Sequence, residues 1–236
     1  MGKIRAIVAY VPSYLADFSS VLIRPKRFIA RRNVQGEETW KESLLFLACS
    51  VILTLLATIP GRPLDTAMVL HLAEEALLAA VELSLFAVIL WAAWAVVGGR
   101  STVRGFAVTY AYFAGVIFVL FAVVLLVADV TVMVLEPEMH EAAREAADLG
   151  AKESERRLDE IGYLDRPAVL TGLALTAVGP WVALAWALLA WGAFRQLNGV
   201  GEWRSCGALL MACFLVYVAI AATLFPYGQT NLGVSD

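Results

Sequence analysis

His71, Glu75 and Glu82 stand in a run that is otherwise apolar, VLHLAEEALLAAVELSLFAV, at offsets of four and eleven residues. At 100° per residue those offsets bring the three within about 40° of one another on a helix. They form one polar stripe, with Glu74 to its side. Asp129 occupies a second apolar run, LLVADVTVMVL. Ionisable side chains inside a membrane are costly and face a bundle interior or a watery cavity, where they bind cations or relay protons. Glu82 is the deepest member of such a site. The competing reading makes His71, Glu74 and Glu75 interfacial residues ahead of a span and gives Glu82 a hydrogen bond to a neighbouring helix. Neither reading has an internal counter-ion, because no Lys or Arg falls inside an apolar run.

A second constellation is basic. The segment VLIRPKRFIARR carries Arg24, Lys26, Arg27, Arg31 and Arg32 around one proline. Beside an anionic leaflet each such cation contributes about 1 kcal/mol. Pro25 suits the first turn of a short helix, and Phe28 and Ile29 can then dip into the interface while the cations flank them. The segment therefore reads as an interfacial, amphipathic anchor for anionic headgroups. Nucleic acid is excluded as its partner by the apolar component and by the nearness of a membrane span.

Other chemistry finds little support. His140 beside Glu138 and Glu141 could hold a metal, yet on a charged helix it reads first as a solvated residue. Cys49, Cys206 and Cys213 lie in apolar runs without metal spacing and behave as small hydrophobes. No nucleophile elbow, HExxH, P-loop or paired-aspartate pattern occurs. The expectation is a non-enzymatic protein without cofactor, metal or catalytic residues.

The elements that must position these residues follow from composition. The 236 residues are 61% hydrophobic and only 17% charged, a membrane composition. Crossing about 30 Å of hydrocarbon takes roughly 20 apolar residues. Five such runs occur, at 43–59, 76–97, 106–128 (extending to 135), 167–194 and 206–225. The reading is an all-α polytopic membrane protein with five transmembrane helices. Residues 1–42 form an N-terminal segment, 43–135 hold spans one to three, 167–225 hold spans four and five, and 226–236 are a tail. The basic residues Lys3 and Arg5 precede a short apolar run in the manner of a leader, but Pro12 and Ser13 interrupt it and no cleavage pattern follows, so the N-terminus is expected to be retained.

Between spans three and four, residues 136–166 carry ten acidic and five basic residues in an Ala-rich context. They read as a charged helix with a thin apolar stripe at Met139, Ala142, Ala143, Ala146, Leu158 and Ile161, weakened at Gly150. Lys and Arg are divided twelve to six between the two sides of the membrane, and twelve to one without this insert. The N-terminus is therefore expected in the cytoplasm, and the insert and C-terminus outside it. Packing is signalled by Gly172, Thr176, Gly179, Ala183 and Ala187 in span four and by Ala208 and Ala212 in span five. Pro180 is expected to kink span four.

Four segments together, RPKRF, TWKESL, GGRSTVRGFAVTYAY and NGVGEWRSCGA, resemble the Yip family over about residues 21–225. The resemblance implies five spans, a cytosolic N-terminus and a role in binding other proteins at membranes, first described for Rab-type GTPases. The short N-terminal region and the acidic insert depart from that pattern. Arginine outnumbers lysine fourteen to four, which points to a GC-rich prokaryotic genome, where Rab partners have no counterpart. The expected function is a scaffold or accessory subunit in a prokaryotic inner membrane, working with a membrane-protein partner or as a homo-oligomer. The alternative is a small transporter or ion-coupled permease using Glu82 and Asp129. The lack of an internal repeat weighs against that alternative.

Overall fold

A computed structural model describes the backbone over residues 2–57, 66–147 and 151–230, and side chains over 9–57, 70–146 and 153–218. Among these residues the chain is helical, without strands. Its α-helices are α1 (Gly2–Ile23), α2 (Pro25–Arg31), α3 (Glu37–Ala57), α4 (Thr66–Val96), α5 (Val103–Leu135), α6 (Pro137–Ala147), α7 (Ala151–Glu160), α8 (Pro167–Asn198) and α9 (Glu202–Thr230), with a 3-10 turn at Tyr163–Asp165. Three of them begin on a proline, α2, α6 and α8. There the missing N–H is not needed and the fixed φ favours a helical start.

Four helices are long and apolar enough to cross a membrane: Glu37–Ala57, Leu70–Val96, Val103–Leu135 and Pro167–Asn198. Even the shortest, at 21 residues, reaches roughly 30 Å at 1.5 Å per residue. The fifth expected run falls in α9, whose side chains are described only as far as Val218. The insert consists of two helices, α6 and α7, and Gly150 between them lies outside the described residues.

One element was not anticipated from the sequence. Residues 2–23 form a helix that passes through Pro12, although an interior proline costs about 3 kcal/mol in a helix. Tertiary packing holds it: Val21 and Tyr14 are buried, and the Tyr14 ring lies 5.0 Å from that of Phe46.

The chain forms two compact units, discontinuous in sequence. The first comprises Met1–Leu47, Val69–Ala114 and Ala190–Asp236; the second comprises Ala48–Met68 and Gly115–Leu189. Aromatic rings make the core of the first. Phe28 meets Tyr112 edge-on at 4.9 Å and Tyr112 lies 5.1 Å from Phe46. Trp94 lies 4.9 Å from Trp191, whose indole N–H donates to Ser205 Oγ at 2.8 Å. Phe194 sits 5.1 Å from both Phe106 and Phe113.

Buried Asn198 ties the end of α8 to the loop after α4. Its Oδ1 accepts from Ser101 at 2.7 Å, its Nδ2 donates to the Phe194 carbonyl at 2.9 Å, and its carbonyl accepts from the Arg100 N–H at 3.1 Å. Gly98 turns the chain here with φ of +87°. A side chain on Gly99 would meet Asn198 Oδ1 at 2.5 Å and the Trp94 carbonyl at 2.8 Å, so only glycine fits.

In the second unit small residues set the packing. A Cβ at Gly172 would sit 3.0 Å from Val132, and one at Gly179 would sit 3.1 Å from Val124. The expected small-residue face of α8 is thus laid against α5, and without a water-driven hydrophobic term such close approach is what holds membrane helices together. Thr54 adds a polar tie, its hydroxyl placed 2.9 Å from the Ser50 carbonyl and 3.0 Å from that of Phe118.

Candidate functional site

Asp129, near the end of α5, is joined by a residue the sequence reading left in solvent. His140 is buried at 9% exposure, and its Nε2 lies 3.1 Å from Asp129 Oδ1. The reason is a break in the chain. α5 ends at Leu135, Pro137 opens α6, and the reversed helix carries His140 back beside Asp129. Glu136 supports the corner by accepting from the Ala168 N–H at 3.2 Å, which satisfies one of the open donors at the start of α8.

Around this pair lies a cavity of about 330 Å³, with Leu125, Asp129, His140, Arg144, Tyr163 and Thr176 among its walls. Asp129 Oδ2 is buried with no hydrogen-bond partner among the described residues. Burial pushes the Tyr163 phenol upward from its ordinary pKa, and the negative charge of Asp129 pushes it further. The Thr176 hydroxyl is committed to the Gly172 carbonyl at 3.0 Å. The arrangement can hold or exchange a proton and can receive a small polar molecule. No Ser, Cys or Lys is found among its described lining residues.

The structure treats the other candidate acids differently. His71, Glu75 and Glu82 share one face of α4 as their spacing predicts, and all three are exposed. Glu82 has no hydrogen bond or ion pair among the described residues, and it is flanked by exposed Leu78, Val81, Leu85 and Phe86. The hydrogen bond to a neighbouring helix expected for Glu82 is therefore absent among those residues. Glu82 belongs to the first unit and Asp129 to the second. No group of three or more His, Cys, Asp or Glu among the described residues could hold a metal ion.

The five-cation segment also divides. Arg32 turns inward, its guanidinium 4.7 Å from the Phe28 ring centre and 5.4 Å from that of Tyr112. It donates to Asp17 at 2.5 Å and to Glu42, linking α1, the end of α2 and α3. Burial acts to lower its pKa, but Tyr112, Asp17 and Glu42 outweigh that and hold it above its ordinary value. Lys26 lies with the end of its side chain across Gly192. Arg24, Arg27 and Arg31 remain exposed. Phe28 and Ile29, expected to dip into lipid, are instead buried at 8% and 7%. Tyr112, distant in sequence, covers Phe28.

Helices of this length and apolarity are consistent with a multi-pass membrane protein. No protein-family model matches the chain, and comparison with curated proteins and with solved structures finds no match.

Proposed function

We propose that this is a non-enzymatic, five-span protein of a prokaryotic inner membrane, similar to the Yip family, that serves as a scaffold or accessory subunit. Its N-terminus is cytoplasmic, and its insert and C-terminus are extracytoplasmic. The observation that carries the reading is Glu82, exposed and unpaired among the described residues in the middle of an apolar helix. A carboxylate facing hydrocarbon costs several kcal/mol, so a partner that covers this face gains by supplying a donor or a cation. This chain has no Lys or Arg within its apolar runs, which favours a partner of different sequence over a second copy.

Photo-crosslinkers at Leu78 and Leu85 test the reading in native membranes. The expected result is a stoichiometric adduct with another membrane protein, weakened roughly tenfold by Glu82→Gln, as fits the loss of a charge-assisted contact. Adducts with itself alone would indicate a homo-oligomer. Absence of any adduct across growth conditions would overturn the proposal.

A second reading rests on the Asp129–His140 cavity, whose unpartnered carboxylate oxygen suits a small transporter or ion-coupled permease. Flux in proteoliposomes abolished by Asp129→Asn would favour it. Flux unchanged by Asp129→Asn and Glu82→Gln together would exclude it.

A further inference from the structure

Arg24, at the elbow between α1 and α2, and Arg27 and Arg31 on α2 border a cavity of about 510 Å³ against the end of α1, completed by Ser19, Ser20 and Ile23 with Arg32 and Asp17 on its wall. Four residues apart on α2, Arg27 and Arg31 share one side of the helix, Arg24 at the elbow lines the same cavity, and Lys26 does not. None of the three has an ion pair among the described residues, whereas the acid on the wall, Asp17, is taken by Arg32. Three guanidinium groups gathered without a counter-charge repel one another. A chain that holds them together leaves room for an external anion.

The frame is fixed independently of any ligand. The Arg24 N–H donates to the Ser20 carbonyl at 3.0 Å, which sets the elbow between α1 and α2. Arg32, clamped between Asp17 and Glu42 and stacked on two rings, holds the far end. The volume lies in the range of small-molecule pockets, larger than a bare ion needs. Ile23, 71% exposed on the rim, adds an apolar lip.

We infer that the α1–α2 elbow is a stoichiometric binding site for a phosphate-bearing headgroup, held by Arg24, Arg27 and Arg31. Planar guanidinium groups bind phosphate through paired hydrogen bonds, which an ammonium cannot reproduce. The site differs from diffuse attraction to an anionic surface in that position, and not only charge, matters. It does not depend on the scaffold reading, which rests on α4.

The test uses the full chain in phosphatidylcholine nanodiscs containing a small admixture of phosphatidic acid, with retained lipid counted by native mass spectrometry. One phosphatidic acid per chain is expected. Arg27→Gln/Arg31→Gln should cut its retention roughly tenfold or more, as fits two lost charge-assisted contacts, and Lys26→Gln should leave it unchanged. Arg27→Lys/Arg31→Lys keeps the charge and should still weaken binding, which serves if the glutamine variant folds poorly. Competition by inorganic phosphate identifies a soluble phosphate compound as the ligand; resistance to it identifies the lipid. Equal loss with Lys26→Gln, or full retention in both arginine variants, would overturn the site.

Discussion

α4 and α8 are almost equal in length, 31 and 32 residues, and both are apolar enough to span a membrane. Yet only 6% of the α4 span is buried by its own chain, against 22% for α8. The contrast lies in side-chain size. α8 presents glycine where α5 presents Val124 and Val132, so the backbones approach until each missing Cβ is filled by the neighbour. α4 has no glycine and turns Leu77, Leu78, Val81, Leu85 and Val88 outward, with Glu82 among them. Between membrane helices contact area is won by close fit, because lipid tails are as apolar as leucine. One helix therefore packs closely on its own chain, and the other keeps most of its surface exposed.

Substitutions on the two helices should separate these roles. The largest effect is expected for Gly172→Leu, which forces a branched chain against Val132 and Ala128. Overpacking of this kind costs about 1–3 kcal/mol or more, seen as a lower thermal midpoint in detergent. Asp129→Ala comes next. It leaves buried His140 without its carboxylate, a loss of about 1–3 kcal/mol, whereas Asp129→Asn keeps a hydrogen-bonding oxygen and should cost less than half as much in the same melts. On α4, Val81→Ala with Val88→Ala should stay within about 0.5 kcal/mol while weakening the crosslinks from positions 78 and 85 to a partner. Destabilisation equal to that of Gly172→Leu would erase the contrast.

The smallest effect is a pH dependence. The folded-state pKa of Tyr163 is raised by burial and then by Asp129. A raised pKa means the folded protein holds its proton more tightly. The resulting stability is fully present below the unfolded value of about 10 and is lost as the pH climbs from there through the folded value. Asp129→Asn should lower the Tyr163 transition in an ultraviolet titration referenced to Tyr163→Phe. An unmoved transition would show that the two groups do not feel each other.

The helical class and the positions of four membrane-length helices were legible because each is a long apolar run stopped by charge, glycine or proline. The small-residue face of α8 was equally plain, since Gly172, Thr176 and Gly179 repeat at helical spacing. The pairing of Asp129 with His140 was not. Both residues were visible, but read as a solvated insert the second had no reason to return, and the signal lay in Glu136-Pro137, where a helix stops and another starts. Sorting of the basic cluster was half legible: helical phase separates Lys26 from Arg27 and Arg31. The inward turn of Arg32 depends on Asp17, Glu42 and Tyr112, and no local pattern announces partners so far away. α1 was missed for the same reason, since its proline argues locally against a helix that tertiary contacts sustain.

Asn198 and Ser101 are 97 residues apart, so a ribosome completes the glycine turn after α4 long before it makes the residue that locks it. During synthesis that turn must wait with its hydrogen-bonding groups in water, and it closes only when the last part of α8 arrives. Chains that stall before Asn198 would carry an unlatched loop on an otherwise inserted set of helices. The asparagine thus ties the closing of that turn to the arrival of a distant part of the chain.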